Sequence, residues 1–265
     1  MEWSDFRTSS RLKRIPLALC IAACAWVAPS AYAGPGELTV VTVGPVKDAL
    51  ADAIAKYKSE TGETVAVIDA GRSQLKAKVH GAEHPDLVIA SQEEMDGLEK
   101  GGQTQTATRA PLGRAGLAVA MRQGVKAPDL SSADALKKVL TSAKSLSYAD
   151  PEENPAGVQA GEVVEKLGLT AVVKPKLQLG SGSNPVSAVG FGDVEVGLYP
   201  TPLILSAKDA QVAAPLPADL QKWTRYDGAL ISGAPNEIEA KRLLGYLSGA
   251  GAKAAFAARG FEAAQ

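Results

Sequence analysis

The chain has few cysteines, few aromatic residues and no excess of either charge. Only 2 of its 265 residues are cysteine, 5% are aromatic, and 28 basic residues face 29 acidic ones. A basic groove for nucleic acid is excluded, because such a groove leaves an excess of positive charge. Both cysteines, Cys20 and Cys24, lie in an N-terminal apolar segment. The rest of the chain therefore has no disulfide and no cysteine-ligated metal.

The N-terminal segment has the pattern of an export signal. A basic stretch (Arg7 to Arg14) precedes an apolar run (Ile15 to Ala28) and the small-residue pattern Ala31-Tyr32-Ala33. This order predicts a signal peptide over residues 1–33, cleaved before Gly34, and a periplasmic protein. A transmembrane anchor is disfavoured, because about 14 apolar residues are too few to span a bilayer.

A lipid anchor is the alternative at this end. The run from Ile21 to Cys24 is similar to a bacterial lipobox, in which the cysteine is lipidated and tethers the protein to a membrane. The apolar stretch continues past Cys24 to the Ala-x-Ala pattern, and this favours the cleavable signal peptide.

Short β-branched runs alternate with helical patterns along the remaining chain. Residues 38–43 are typical of a buried strand, and a helix opens at Pro45 with apolar residues at helical spacing. Residues 86–90 predict another strand, and an acidic helix start follows it. This alternation indicates an α/β fold, with mostly parallel sheets flanked by helices.

The pattern predicts two lobes. We assign residues 34–119 to lobe I, residues 120–198 to lobe II, and residues 199–265 to a return into lobe I. Within lobe II, Val172 to Leu179 is predicted as a strand. Ligands of open α/β sheets bind at the carboxyl ends of strands, so two facing lobes would form a cleft lined by backbone N–H groups.

Several segments resemble a known family over essentially the whole of this region. They include Asp86 to Ser91, Asp150-Pro151 with Pro155-Ala156-Gly157, and the tail from Ala240 to Leu247. Their order and spacing are similar to the molybdate-binding proteins of bacterial ABC transporters, among the type II periplasmic binding proteins. The resemblance implies a monomer that captures molybdate, tungstate or a related oxyanion between two lobes. It would deliver this anion to an ABC permease in the inner membrane.

The resemblance also implies where the ligand is bound. It places contacts at helix starts and near the return crossover: Gly44, Ser73, Ala156, Gly157, Asn184 and Tyr199. We add Arg72 and Ser91, which stand in similar loops. Helix starts carry unsatisfied N–H groups and the positive end of the helix dipole, so they bind anions without a cationic side chain.

The first loop departs from the family pattern. It reads Val43-Gly44-Pro45, without the family's serine hydroxyl, and proline removes one N–H donor. Arg72 is a candidate replacement, which would shift preference toward an organic carboxylate or a sulfate-like anion. The alternative is a solvated surface arginine.

The other candidates have structural alternatives. Ser73, Ser91 and Asn184 suit either ligand contacts or helix caps, and Tyr199 suits either a ligand contact or packing between lobes.

Motifs for catalysis or metal binding have little support. His80 and His84 are four residues apart, but Gly81 and Pro85 interrupt the helix that this spacing would need, and a third ligand is not evident. Acidic residues such as Glu152 lack an accompanying serine or histidine pattern and suggest solvated surface. We therefore expect a binding protein without enzymatic activity, cofactor or metal. A periplasmic sensory or adaptor module without a small ligand is the alternative of another class.

Overall fold

The computed structural model describes residues 37–264, except 82–83 and 183. The predicted signal peptide and the alternative lipid-anchor residue Cys24 lie outside the described residues. Within the described ranges, no helix combines the length and apolar character that a membrane crossing requires.

The first sheet combines parallel and antiparallel strands. Strand β1 (Leu38–Thr42) runs parallel to β2 (Val65–Asp69) on one side and to β3 (Leu87–Ser91) on the other. Strand β9 (Trp223–Leu230) is antiparallel to β3 and also pairs with the first half of β4 (Ala110–Arg122). The strand order is β2-β1-β3-β9-β4.

The second sheet repeats this plan. Strand β5 (Leu146–Ala149) runs parallel to β6 (Leu177–Gly180) and to β7 (Val196–Pro200). The second half of β4 is antiparallel both to β7 and to β8 (Ala210–Pro215). The predicted α/β class is confirmed, with three parallel strands in each sheet extended by antiparallel ones.

Strand β4 belongs to both sheets. Its residues 110–116 pair with β9, and its residues 117–122 pair with β7 and β8. The chain therefore passes from one lobe to the other within a single strand. The lobe boundaries at residues 119 and 198 remain predictions. Strand β8 follows residue 198 in the chain and lies in the second sheet.

Helices accompany both sheets. With the first sheet lie α1 (Gly44–Thr61), α2 (Arg72–Val79), α3 (Gln92–Lys100), α9 (Glu237–Ser248) and α10 (Ala250–Ala258). With the second lie α4 (Ala133–Ser142), α5 (Pro155–Lys166), α6 (Thr170–Val173), α7 (Ser187–Phe191) and α8 (Thr201–Ser206). The helix predicted to open at Pro45 is confirmed as α1, which buries Val46, Leu50, Ile54 and Tyr57.

Two parts of the sheet region differ from the sequence prediction. The strand predicted over Val172 to Leu179 is wrong in its first half, which contains the end of α6 and a 3₁₀ turn at Lys174–Lys176. Pro175 lies in this turn, where its fixed φ and missing N–H suit a turn better than a ladder. The sequence pattern did not predict strand β4, because a proline and two glycines interrupt its run of apolar residues.

Asp86 joins three segments of the first lobe. This residue is 1% exposed. Its Oδ2 accepts the N–H of Thr39 at 2.9 Å, and its Oδ1 accepts the N–H of Asn236, just before α9, also at 2.9 Å. A buried carboxylate is tolerated when such donors satisfy it, and here it ties β1, the start of β3 and the start of α9 together.

We expect Asp86→Ala to lower the free energy of unfolding by about 2–4 kcal/mol, because it leaves buried N–H groups without an acceptor. Asp193→Ala, at an exposed aspartate, is the control and should change it by less than about 0.5 kcal/mol. Urea titration followed by circular dichroism measures both. Equal stability of the two variants would contradict this role for Asp86.

Candidate functional site

A cleft of about 310 Å³ lies where the carboxyl ends of the parallel strands of both sheets meet. From the first lobe it is lined by Val43, Gly44, Pro45, Asp69, Ala70, Gly71, Arg72, Ser73, Gln74, Ser91, Glu94 and Tyr226. From the second lobe and α8 it is lined by Ala149, Glu153, Asn154, Pro155, Gly180, Gly182, Pro185 and Leu203. The cleft occupies the position where open α/β sheets bind ligands.

Two helices of the first lobe begin at the cleft without a side-chain cap. Val43 precedes α1 and Gly71 precedes α2, and neither residue has a side chain that can accept a hydrogen bond. The first bond of α2 runs from the N–H of Gln74 to the carbonyl of Gly71. The N–H groups of Arg72 and Ser73 come before that bond, so they are available to an anion in the cleft.

The guanidinium of Arg72 lies on the same wall. Its Nη2 is 2.5 Å from Oε1 of Glu93 on α3, with side-chain exposures of 31% and 63%. Ion pairs this exposed contribute little to stability, about 0–1 kcal/mol. Arg72 can therefore exchange Glu93 for a ligand carboxylate or oxyanion at small cost.

Ser91 serves as the cap of α3. Its hydroxyl donates to Oε2 of Glu94 at 2.7 Å, its N–H donates to the same oxygen at 3.0 Å, and it accepts the N–H of Glu94. This reciprocal arrangement is a capping box. Ser91 lies at the cleft, but its donors are already engaged by Glu94.

Glu94 brings a half-buried carboxyl group to the cleft. Burial raises the pKa of this group above its ordinary value, while the hydrogen bonds from Ser91 and the charge of Arg72 act in the opposite direction. Tyr226 also faces the cleft and is 2% exposed. Burial, together with the charge of Glu94, raises the pKa of Tyr226, so its hydroxyl stays protonated.

In the second lobe the start of α5 has its own acceptor. Oδ1 of Asn154 accepts the N–H of Ala156 at 2.9 Å, and the carbonyl of Asn154 accepts the N–H of Gly157 at 2.9 Å. Ala156 and Gly157 are buried just behind the cleft wall. A β-carbon at Gly157 would overlap the carbonyl oxygen of Ala149, so glycine allows α5 to approach β5 this closely.

A backbone N–H group in the second-lobe wall donates a hydrogen bond to a carboxylate of the same wall. Oε2 of Glu153 accepts the N–H of Gly182 at 3.0 Å and thereby links the loop before α5 to the loop after β6. Asn184 lies in the same loop, between β6 and α7, and is exposed. Its carbonyl accepts the N–H of Ser187 at the start of α7. The cleft lining contains Gly182 and Pro185 but does not contain Asn184.

Tyr199 lies behind the cleft wall. It is completely buried, and its hydroxyl forms hydrogen bonds with Ser147 on β5 and, at 2.7 Å, with the carbonyl of Pro185. Burial raises the pKa of Tyr199 to about 12. The hydroxyl therefore holds the loop before α7 against the sheet, behind the cleft-lining residues Pro185 and Gly180.

Tyr199→Phe should lower the free energy of unfolding by about 1–3 kcal/mol, because it leaves the carbonyl of Pro185 and the buried hydroxyl of Ser147 without their partner. Tyr148→Phe, on the neighbouring strand β5, is the control and should change stability less. Thermal and chemical unfolding of both variants measure the difference. A larger loss for Tyr148→Phe would contradict the anchoring role of Tyr199.

Four of the eight predicted site residues line the cleft: Gly44, Arg72, Ser73 and Ser91. The other four lie behind or beside its wall: Ala156, Gly157, Asn184 and Tyr199. Sequence reasoning missed Glu94, Glu153 and Tyr226 as lining residues. The serine three positions before Glu94 was an available signal, because Ser-x-x-Glu after a strand is the pattern of a capping box.

Metal ligands do not gather in this region. Among residues 37–264, leaving aside 82–83 and 183, no group of three His, Cys, Asp or Glu side chains is placed to hold a metal ion. Of the acidic residues that line the cleft, Asp69 is paired with Lys47 of α1 at 3.1 Å.

Sequence comparisons find relatives that include an isomerase and a binding protein. The chain is 26% identical to an aconitate isomerase of a Pseudomonas species over 226 residues, which are 80% of this chain and 82% of that protein. It is 29% identical to the molybdate-binding protein ModA of Escherichia coli over 238 residues, which are 89% of this chain and 92% of ModA.

The fold is shared with a solved molybdate-binding protein. The periplasmic molybdate-binding protein of Azotobacter vinelandii superposes with a TM-score of 0.72 at 17% identity, over 86% of this chain and 100% of that one. The family model for bacterial extracellular solute-binding proteins matches residues 38–262. That match covers both lobes and every strand that borders the cleft, and the chain therefore belongs to the bacterial extracellular solute-binding protein family.

Proposed function

We propose that this protein is the extracytoplasmic receptor of an ABC importer and binds a small anion in the cleft between its lobes. The observation that carries the proposal is the first-lobe wall, where α1 and α2 begin without side-chain caps and where Arg72 and Ser73 lie together. Uncapped helix starts and a guanidinium are complementary to a negatively charged group.

We propose that the bound anion is then delivered to an ABC permease in the inner membrane, with the protein acting in the periplasm. Membership of the solute-binding family supports this role. Binding would close the cleft, because a ligand that contacts both lobes favours the conformation in which both sets of contacts form.

Two classes of anion are candidates. A tetrahedral oxyanion, molybdate or tungstate, is supported by the similarity to molybdate-binding proteins over most of the chain. An organic carboxylate or a sulfate-like anion is favoured by Arg72, which stands in the cleft while the first loop has Gly44-Pro45 and no hydroxyl. The relative named aconitate isomerase points to the same carboxylate chemistry.

The test is titration calorimetry of the whole mature protein with molybdate, tungstate, sulfate and short carboxylates. We expect saturable heat with at least one of these anions. The absence of heat and of any thermal shift across the panel would overturn the proposal and favour a sensory or adaptor module.

We further propose that binding occurs without turnover. The half-buried carboxyl group of Glu94 is engaged in the capping box with Ser91, which favours a structural role over proton transfer. Incubation with cis- and with trans-aconitate, followed by proton NMR, should show no interconversion of the two isomers. Any interconversion by the wild type would contradict this part of the proposal, and its loss in Glu94→Gln would identify Glu94 as the group that moves the proton.

Arg72→Ala should weaken anion binding by about 10- to 100-fold, because it removes charge-assisted hydrogen bonds to the ligand. The matched control is Arg259→Ala. Its side chain is 34% exposed and pairs with Asp52 at 2.6 Å, so it resembles Arg72 in exposure and pairing but does not line the cleft. Calorimetry should show unchanged affinity for the control, and equal affinities for both variants would place the anion away from Arg72.

Anion affinity should rise as the pH falls toward the raised pKa of Glu94. The deprotonated carboxylate repels an anion in the cleft, and protonation removes that repulsion. The groups that face Glu94 are Ser91, Arg72, Glu93 and Tyr226. Titrations with sulfate, whose charge is constant over this interval, should show the rise.

Glu94→Gln keeps the capping geometry while removing the charge, so it should bind sulfate more tightly near neutral pH and with a flatter pH profile. Glu165→Gln, at an exposed position on α5, is the control and should keep the wild-type profile. A pH dependence that persists unchanged in Glu94→Gln would exclude Glu94 as its source.

A further inference from the structure

The first-lobe wall of the cleft offers hydrogen-bond donors: the N–H groups at the start of α2, the guanidinium of Arg72 and the hydroxyl of Ser73. The carboxyl groups on this wall, Asp69 and Glu94, are engaged by Lys47 and by Ser91. Because the guanidinium is paired with a well-exposed glutamate, it can turn to a ligand at small cost. A carboxylate, with two acceptor oxygens in one plane, suits such a wall.

The second-lobe wall is different, because its own residues occupy its backbone donors. The N–H of Ala156 is bonded to Asn154, and the N–H of Gly182 is bonded to Glu153. Glu153 is exposed and lines the cleft, so this wall presents a negatively charged acceptor to whatever enters.

This asymmetry disfavours a small dianion held from both sides. A tetrahedral oxyanion that contacts the second wall must either displace Glu153 from the N–H of Gly182 or lie against its charge. The cleft of about 310 Å³ is at the lower end of the volumes that hold organic ligands, so it has room for a molecule longer than an inorganic ion.

We propose that the ligand is an organic acid whose carboxylate binds at Arg72 and Ser73 and whose far end donates a hydrogen bond to Glu153. This inference rests on the proposed function and specifies its ligand class. Glu153 then becomes the residue that selects the ligand: it accepts a hydroxyl donor and repels a second negative charge.

The test pairs ligands with variants. Propionate, butyrate and valerate are each compared with the same acid carrying a terminal hydroxyl, and sulfate and molybdate serve as dianions. Calorimetry on the wild type should show that the hydroxyl increases affinity by about 10-fold at the chain length that reaches Glu153.

In Glu153→Gln, the gain from the hydroxyl should fall to about threefold or less, while sulfate or molybdate should bind about threefold more tightly. The matched control is Glu152→Gln, which removes the same charge from the next residue. Glu152 does not line the cleft, and its own N–H is bonded to Asp150. This control should keep the wild-type gain.

The outcomes separate this inference from the function on which it rests. If molybdate or sulfate binds the wild type and no hydroxy acid binds more tightly than its parent acid, the inference is overturned and the proposed function stands. The inference is likewise overturned if the hydroxyl gain is equal in wild type, Glu153→Gln and Glu152→Gln. If neither oxyanions nor carboxylates bind the wild type, the proposed function fails, and the inference falls with it.

Discussion

Every N–H group at the start of a helix needs an acceptor, and the cleft is built around this requirement. On the second-lobe wall of the cleft, Asn154 supplies an acceptor at the start of α5. In the first lobe, Val43 and Gly71 cannot do so at α1 and α2. These two uncapped helix starts give the first-lobe wall N–H groups that a ligand with acceptor oxygens can satisfy.

The charged groups around the cleft differ in how strongly water screens their charges. The pair of Arg72 and Glu93 is exposed, so water and salt weaken it and either partner exchanges easily. Glu94 is half-buried, so water screens its charge less than it screens the exposed pair. An anion in the cleft is therefore attracted by Arg72 and the helix starts and repelled by the carboxylate of Glu94.

Local sequence patterns predicted the elements that depend on local interactions. The strand and helix around Pro45 follow from hydrophobic spacing, and the position of the cleft follows from the alternation of strands and helices. The role of Glu153 could not be predicted, because its partner Gly182 lies 29 residues away. Tyr199 is similar: Ser147 is 52 residues distant, and only the folded sheet brings the two hydroxyls together. Residues that act through such distant contacts leave no local pattern.

The position of β9 has a consequence for how the protein forms. This strand lies between β3 and β4 in the first sheet, although it is the last strand along the chain. The strands of the second sheet, from β4 to β8, are contiguous in sequence. Synthesis runs from the N-terminus, so all strands of the second sheet are made before β9 completes the first. Closing the first sheet therefore depends on contacts of large sequence separation, such as those of β9 with β3, and contacts of this kind form slowly.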